Sequence, residues 1–441
     1  MIFKRKIYSK LLDWKNNWAN ERALLIQGAR RIGKSTIVEE FGKNEYKSYI
    51  LINFQSDLGK VEELFKTDLN DLNNFFRKLS LIYGVTLYPN KSLIIFDEVQ
   101  LFPIARQSIK QLVKDGRFHY IETGSLITLK QNVKNILIPS EERSIEMYPL
   151  DFEEFLWANG KENIVDLLKD SFDNIKPLGE TAHREIMKLY RTYLVVGGMP
   201  QAINKLLSTN DFSKVDEVKQ DILNLYEADL KKTDTNNNLS TSLILNAVPS
   251  ELSSYSKIFK ITTLGKNARI SRSLSSFQAI EDSKIVNIAY NSTDPTIGLN
   301  RTKDYGKQKI YLNDTGLLVT QIFRDSNEKI ENSIYKQIIF DKISVNLGVV
   351  LENSVAQMLK ASGHDLYFHT FDHYEIDFIL TEGKKLIPIE VKSSSYSNHK
   401  SIDVFNKKYS DRIKTNFVIY SKDIKRVGNT TYIPFYMTMF L

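Results

Sequence analysis

Residues 28–35 constrain this chain more than any other segment, because they read Gly-Ala-Arg-Arg-Ile-Gly-Lys-Ser and match the pattern G-x-x-x-x-G-K-[ST]. An apolar run, Ala23–Gln27, precedes them, and a helical pattern at 36–41 follows. Glycines in such a loop let backbone N–H groups and a helix N-terminus point at a phosphate. The segment therefore predicts a loop for ATP and Mg²⁺, in which the lysine meets the β- and γ-phosphates and the serine binds the ion. Its predicted binding residues are Gly28, Ala29, Arg30, Arg31, Ile32, Gly33, Lys34, Ser35 and Thr36.

A second element of this kind lies about 60 residues later. Residues 93–96 form a continuous apolar run, which is typical of a strand buried on both faces of a parallel sheet, and Asp97 and Glu98 follow it. At the carboxyl end of such a strand, Asp97 is expected to hold Mg²⁺ through water. Glu98 is expected to orient or polarise the attacking water. Gln100 is a candidate contact to the γ-phosphate or to water, with a loop-capping amide as the alternative.

A third strand is predicted at 119–123, and Gly124 and Ser125 follow it. A polar residue at this point would lie beside the γ-phosphate. Thr123 or Ser125 is therefore a candidate phosphate sensor, and a plain turn is the alternative.

The composition is that of an ordinary globular protein, with 441 residues, 42% of them apolar and 26% charged. This length predicts two to four domains. The chain has no cysteine, which excludes disulfides and thiolate metal sites and fits a reducing cytosol. We see no secretory signal and no apolar run approaching 18 residues, and we therefore expect a cytoplasmic protein without a membrane partner. The net charge of +7 is compatible with nucleic acid.

The order of elements along the chain indicates several domains. Short apolar strands alternate with helices in residues 21–150, which predicts an α/β layered sheet. A mostly helical stretch follows to about residue 232, then a polar linker at 233–238 and an order of helices and strands that suggests a winged helix. From residue 348 the pattern is helix, strand, strand, helix, strand. The predicted strands of the first region are 23–27, 48–54, 93–96, 119–123 and 144–148.

The C-terminal region carries a separate set of charged residues. Asp377 is predicted in one strand, and Glu390 and Lys392 lie two apart in the next, so that these two share one face. Two carboxylates and a lysine are what metal-dependent phosphodiester cleavage requires, and Glu352 is a further candidate carboxylate. The alternative is a hairpin with an ordinary Glu–Lys pair, but the apolar flanks favour partial burial of these charges, which is costly without partners.

The motifs together resemble one family. They are Gly-Ala-Arg-Arg-Ile-Gly-Lys-Ser (28–35), Phe-Asp-Glu-Val-Gln (96–100), Thr-Gly-Ser-Leu (123–126), Tyr-Pro-Leu-Asp-Phe-Glu-Glu-Phe (148–155), Gly-Gly-Met-Pro (197–200), Tyr-Leu-Asn-Asp-Thr-Gly-Leu-Leu (311–318), Leu-Glu-Asn (351–353) and Glu-Ile-Asp-Phe with Ile-Glu-Val-Lys-Ser-Ser (375–394). Over nearly its whole length the chain resembles prokaryotic AAA+-type ATPases with a C-terminal PD-(D/E)XK-like domain of unassigned function.

The resemblance implies a fold and a division into domains. It implies an α/β protein with a P-loop AAA+-type parallel sheet, a helical lid, a winged helix and a restriction-endonuclease-like α/β end. The corresponding predicted domains are 1–155, 156–235, 236–325 and 326–441. It also implies ATP binding.

Further residues have two interpretations each. Arg143 matches an arginine that this family tends to carry, and it is either a sensor or finger for a γ-phosphate of a neighbouring subunit, or a surface arginine. The winged-helix residues Lys266, Arg269 and Arg272 are candidate phosphate contacts, although winged helices also serve as protein spacers. We interpret the histidines near Asp377 as solvated or supporting.

Three functions remain as alternatives. The first is an ATPase whose nucleotide cycle moves or gates a C-terminal nuclease-like domain. This domain would act on nucleic acid, and DNA is favoured over RNA. The second is a nucleotide-dependent switch whose C-terminal domain is a non-cleaving scaffold. The third is a signalling ATPase that senses a protein or peptide. A homo-oligomer is an open alternative in each case.

Overall fold

The computed structural model describes residues 1–124, 140–232, 240–260, 270–324, 332–340, 347–393 and 400–441, and of residues 270–274 and 332–334 it describes the backbone alone. The described residues form two compact units. The first consists of Met1–Tyr148 with Asp282–Lys284, and the second of Pro149–Glu281 with Ile285–Leu441. Within the described ranges, no helix combines the length and the apolar character that a membrane span requires.

The first unit is a parallel sheet with helices. Five strands lie in the spatial order β2, β3, β4, β1, β5, and every pair in this sheet is parallel. The strands are β1 Ala23–Gln27, β2 Ser48–Asn53, β3 Ser92–Asp97, β4 His119–Gly124 and β5 Glu142–Glu146. The helices are α1 Ile7–Asn17, α2 Lys34–Glu45, α3 Leu58–Thr67, α4 Leu72–Tyr83 and α5 Pro103–Asp115.

The strand order determines which strand ends meet at the carboxyl edge of this sheet. β4 lies between β1 and β3, with Ile26 of β1 level with Thr123 and Phe96 of β3 level with Glu122. All six residues of β3 are buried, as expected for a central parallel strand. The residues that follow β1, β3 and β4 therefore come together at one edge.

The second unit contains eleven α-helices within the described residues. They are α6 Phe152–Ala158, α7 Glu162–Asn174, α8 Glu180–Val196, α9 Pro200–Thr209, α10 Phe212–Lys231, α11 Thr241–Ser253, α12 Ile270–Asp282, α13 Thr315–Ile322, α14 Asn332–Ile339, α15 Gly348–Ala361 and α16 Lys400–Lys408. A capping box begins α6, since the Asp151 side chain accepts from the Glu154 N–H and the Glu154 side chain accepts from the Asp151 N–H.

Two sheets complete the second unit. Its strands are β6 Val286–Ser292, β7 Lys303–Leu312, β8 Tyr367–Phe371, β9 Tyr374–Ile376, β10 Phe378–Glu382, β11 Lys385–Val391, β12 Asn416–Tyr420, β13 Lys425–Val427 and β14 Thr430–Pro434. One sheet has the order β7, β6, β8, β9 and the other β10, β11, β12, β14, β13. Because β6 pairs with β8, the first of these sheets continues across the predicted domain boundary between residues 325 and 326.

The predicted fold class is confirmed. β1 has the predicted bounds, β2 and β4 differ from prediction by one residue at one end, and β3 is longer than predicted by one residue at each end. β5 begins two residues earlier than predicted, because its pairing with β1 already starts at Glu142. The β6–β7 hairpin follows α11 and α12 in the order that suggested a winged helix.

Several predicted features lie outside the described residues, namely the polar linker, Lys266, Arg269 and Ser125. The Arg272 side chain is not described either.

Candidate active site

The loop at residues 28–33 joins the end of β1 to the start of α2, as the motif predicts. Gly28 has φ +155°, and a Cβ on it would lie 2.4 Å from the Met147 backbone oxygen, so the position excludes larger residues. Gly33 is left-handed, with φ +96°, directly before α2. The glycines therefore serve the turn itself.

A buried arginine that the sequence analysis did not single out contacts this loop. The Arg5 guanidinium donates to the backbone oxygens of Ile32, at 2.9 Å, and Tyr148, at 2.6 Å. Arg5 precedes Ile32 by 27 residues and follows no recognisable pattern, so no local signal could have identified it. Of the other loop residues, Ala29 and Ile32 are buried, Arg30 is half-buried, and Arg31 and Thr36 are exposed.

Lys34 lies inside the loop rather than in solvent. Its Nζ donates to the backbone oxygens of Gly28, at 3.0 Å, and Ala29, at 2.8 Å, and 6% of the residue is exposed. Burial lowers the pKa of Lys34 to about 8, although Glu98 and Asp97 nearby oppose this shift. At pH 7 the ammonium therefore keeps its charge, as an interaction with phosphates requires.

Asp97 connects three strands at the carboxyl edge of the sheet. Ser35 Oγ donates to Asp97 Oδ1 at 2.7 Å, and the Thr123 hydroxyl donates to the same oxygen. Asn53 Nδ2, at the end of β2, donates to Asp97 Oδ2 at 2.9 Å. The structure thus brings Ser35 and Asp97 together, although 62 residues separate them in sequence. Asn53 was missed, and its one signal was a polar residue next to the end of the strand predicted at 48–54.

Glu98 has a backbone conformation that is uncommon for its type. Its φ is +56°, in the left-handed region, and its N–H donates to Thr123 Oγ1 at 3.4 Å. The Gln100 amide donates to Glu98 Oε2. Through this hydrogen bond, the Gln100 amide orients the carboxylate that was predicted to be catalytic. Residues in left-handed backbone conformations, such as Glu98, are concentrated at functional sites.

Arg143 lies elsewhere in the first unit. It is paired with Leu24 on β1, at the end of that strand away from the phosphate loop, and its guanidinium lies 4.8 Å from the centre of the Trp18 ring. A contact between Arg143 and a phosphate in the loop of its own domain does not fit this position.

The C-terminal charged residues are in the second unit. The sequence predicted Asp377 inside a strand, but it lies at the bend between β9 and β10. Its Oδ2 accepts the Val391 N–H at 2.8 Å. Glu390 pairs with Lys392, in agreement with a shared face. Glu352, on α15, pairs with Lys257 and is 3.6 Å from Lys309 Nζ.

These carboxylates do not form a ready metal site. Among the described residues, no three histidine or carboxylate side chains are arranged to hold a metal ion. The buried Lys309 ammonium instead lies between the Glu352 and Asp377 carboxylates, 3.9 Å from Asp377 Oδ1. Lys309 was missed as a site residue, although a lysine at the start of the predicted strand at 309–312 was a signal. The metal role of Glu352, Asp377 and Glu390 stays a prediction, and the Lys309 ammonium lies between two of these carboxylates.

Three family models match the chain. Residues 20–156 match a model described as an AAA domain. Residues 187–328 and 347–437 match two models described as domains of unknown function, DUF8612 and DUF4143.

Individual relatives are distant. The chain is 23% identical over 189 residues to the uncharacterized protein MJ1637 of Methanocaldococcus jannaschii, and this match covers 41% of the chain and 38% of that protein. The chain therefore spans well under half the length of this relative.

Solved structures show similarity at the level of 12% identity. One is Cdc6p from Pyrobaculum aerophilum, with a TM-score of 0.25, covering 76% of this chain and 93% of that one. Another is Drosophila ORC bound to DNA, with a TM-score of 0.28, covering 77% and 94%.

The domain assignment depends on the first match and on the site geometry. The matched residues 20–156 contain the glycine loop, the Lys34 ammonium, the Ser35–Asp97 contact and the oriented Glu98. A parallel five-stranded sheet carries all of them. Residues 20–156 of this chain are a P-loop domain of the AAA type.

Proposed function

We propose that this protein is a Mg²⁺-dependent ATPase that acts as a nucleotide-dependent switch. In this proposal the loop at residues 28–35 binds the phosphates, with the Lys34 ammonium on the β- and γ-phosphates. Ser35 and Asp97 would hold Mg²⁺, which neutralises phosphate charge when bound. Glu98 orients and polarises the attacking water, and Thr123 senses the γ-phosphate through its contact with Asp97.

One observation carries the proposal. The Ser35 hydroxyl and the Asp97 carboxylate are 2.7 Å apart, beside a buried and charged Lys34. A hydroxyl and a carboxylate from these two motifs are the donor set that P-loop enzymes use for Mg²⁺. Asp97 is 2% exposed, and a buried carboxylate with several donors is already oriented for this task.

The test uses a Glu98→Gln variant, which keeps the shape of the side chain and removes its charge. ATP binding should persist, while steady-state hydrolysis should fall about 10²-fold or more, in the range of general-base losses. Glu62→Gln is a matched control, because Glu62 is exposed and pairs with Lys66 on α3. Normal hydrolysis by the Glu98 variant would show that another residue activates the water.

For the C-terminal residues, two functions follow from the sequence. In one, the nucleotide cycle controls a nuclease-like domain that acts on nucleic acid. In the other, this domain is a non-cleaving module that binds a partner. The position of Lys309 between Glu352 and Asp377 favours the second, since a metal-dependent nuclease needs those carboxylates for its ion.

The two functions differ in what the full chain does to DNA. We expect no cleavage of single- or double-stranded DNA in Mn²⁺ or Mg²⁺, with or without ATP. Cleavage that Asp377→Asn abolishes would support the nuclease instead. Retention of the protein on DNA that falls steeply as the salt concentration rises would identify nucleic acid as the partner. A retention that does not depend on the salt concentration would favour a protein partner.

If the protein assembles into an oligomer, Arg143 is proposed to act on the γ-phosphate bound by a neighbouring copy.

A further inference from the structure

The second unit contains an acidic cluster around one buried lysine, and we define this cluster as Glu352, Glu375 and Asp377. Lys309 Nζ lies 2.6 Å from Glu375 Oε1, 3.6 Å from Glu352 Oε1 and 3.9 Å from Asp377 Oδ1. None of the Lys309 side chain is exposed. Three carboxylates from two separate parts of the chain thus converge on a single ammonium.

Lys309 comes from a strand outside the predicted C-terminal domain. It lies on β7, and Tyr311, two residues later, has its side chain on the same face of that strand. The Tyr311 hydroxyl donates to Glu352 Oε1 at 2.7 Å. β7 therefore directs the Lys309 ammonium and the Tyr311 hydroxyl toward Glu352 on α15.

Two further oxygens of the cluster have partners of their own. Lys257 pairs with Glu352 Oε2, and the Val391 N–H donates to Asp377 Oδ2 at 2.8 Å. A divalent ion needs several oxygen ligands at about 2.0–2.6 Å. Here the oxygens surround an ammonium and backbone or side-chain donors. A divalent ion and the Lys309 ammonium cannot occupy the same position.

The electrostatics keep the ammonium in place. Burial opposes the charge on Lys309, but Glu352, Glu375 and Asp377 outweigh that effect and raise its pKa. For Glu352 the effect of burial is likewise outweighed, by Lys309 and Lys257, and its pKa is lowered. Removing one partner of such a group would leave buried charges without compensation, which is strongly unfavourable.

We propose that the Lys309 ammonium, which is paired with Glu375, fills the position beside Glu352 and Asp377 that a divalent ion would take in a metal-dependent nuclease. The cluster is therefore a structural core that ties β7 to α15 and to the β9–β10 bend, and it binds no divalent ion while Lys309 is present. This inference does not depend on the P-loop, so ATP hydrolysis and metal binding by the cluster succeed or fail separately.

The test measures thermal unfolding of the full chain, without nucleotide, in chelator and in millimolar Mn²⁺. The variants are Lys309→Met, which keeps a side chain of similar length, and Lys414→Met as a control, because Lys414 forms an exposed pair with Glu382 in the same unit. Any effect of Mn²⁺ on the melting temperature that arises from binding to the first unit is the same in wild type and in each variant.

We expect Lys309→Met to melt several degrees lower than wild type in chelator. Mn²⁺ should then raise its melting temperature, because the vacated cluster binds the ion and binding to the folded state stabilises it. Adding Asp377→Asn to Lys309→Met should abolish this rise. Wild type and Lys414→Met should show the same small response to Mn²⁺.

Two results would overturn the proposal. The first is a Mn²⁺ response in wild type that Asp377→Asn removes, since this would place an ion in the cluster with Lys309 present. The second is a folded Lys309→Met protein that does not respond to Mn²⁺. If Lys309→Met does not fold, the double variant with Glu375→Gln removes the 2.6 Å ion pair as a whole and should recover folding. Failure of that rescue would also contradict the proposal.

Discussion

The buried carboxyl group of Glu390 predicts a specific pH dependence of stability. Burial raises the pKa of Glu390 to about 7 from 4.5, although the contact with Lys392 opposes this shift. One carboxyl oxygen, Oε2, is buried without a hydrogen-bond partner among the described residues. Between pH 4.5 and 7 the folded chain holds a proton that the unfolded chain has released, so the free energy of unfolding falls as the pH rises. The difference between the two pKa values corresponds to a change of roughly 3 kcal/mol in the free energy of unfolding.

A Glu390→Gln variant mimics the protonated acid at every pH. Near pH 4.5 its free energy of unfolding should be close to that of wild type. At pH 8 the variant should be more stable than wild type by roughly 3 kcal/mol, because wild type then loses stability by ionising a buried group. The assay is urea unfolding of the full chain between pH 4.5 and 8, followed by far-UV circular dichroism. The difference between the two proteins removes the contribution of other titrating groups.

Glu382→Gln is the matched control, because Glu382 lies on β10 with 63% of its side chain exposed, paired with Lys414. Exposed pairs contribute about 0–1 kcal/mol, so this variant should follow wild type. A stability difference between Glu390→Gln and wild type that stays constant from pH 4.5 to 8 would refute the reasoning. It would mean that Glu390 is ionised throughout and that its contact with Lys392 outweighs burial.

Two further predictions concern the phosphate loop. Lys34→Ala should weaken ATP binding at least tenfold, about 1.4 kcal/mol, as measured by calorimetry, and wild-type affinity in a folded variant would contradict the assignment. Gly28→Ala should lower both ATP affinity and the melting temperature, because its Cβ would lie 2.4 Å from the Met147 oxygen. Gly59→Ala is its control, since a Cβ there meets nothing within 4 Å, and equal effects of the two changes would disprove the steric argument.

The phosphate loop could be predicted from the sequence because it is local. Its glycines, lysine and serine are contiguous, and the conformation they need is set by residues within one turn of the chain. Asp97 and Glu98 could be predicted for a related reason, since a buried apolar run ending in acids is itself a local pattern. The meeting of Ser35 with Asp97 followed from the rule that parallel strands present their carboxyl ends at one edge.

Contacts between distant segments were decided by tertiary structure alone. Arg5 reaches the loop from 27 residues away, and Asn53 reaches Asp97 across 44 residues, and neither lies in a pattern that names its partner. The charge of an isolated residue does not reveal whether it will be buried or what will neutralise it.

The C-terminal cluster shows the same division most clearly. The sequence alone predicted that Asp377, Glu390 and Lys392 come from neighbouring strands, whereas Asp377 lies at the β9–β10 bend and Lys392 directly follows β11. It could not predict that Lys309, which precedes Asp377 by 68 residues, would lie among the carboxylates, because that contact depends on how β7 and α15 pack. A motif determines which groups are available, and packing determines which cation they surround.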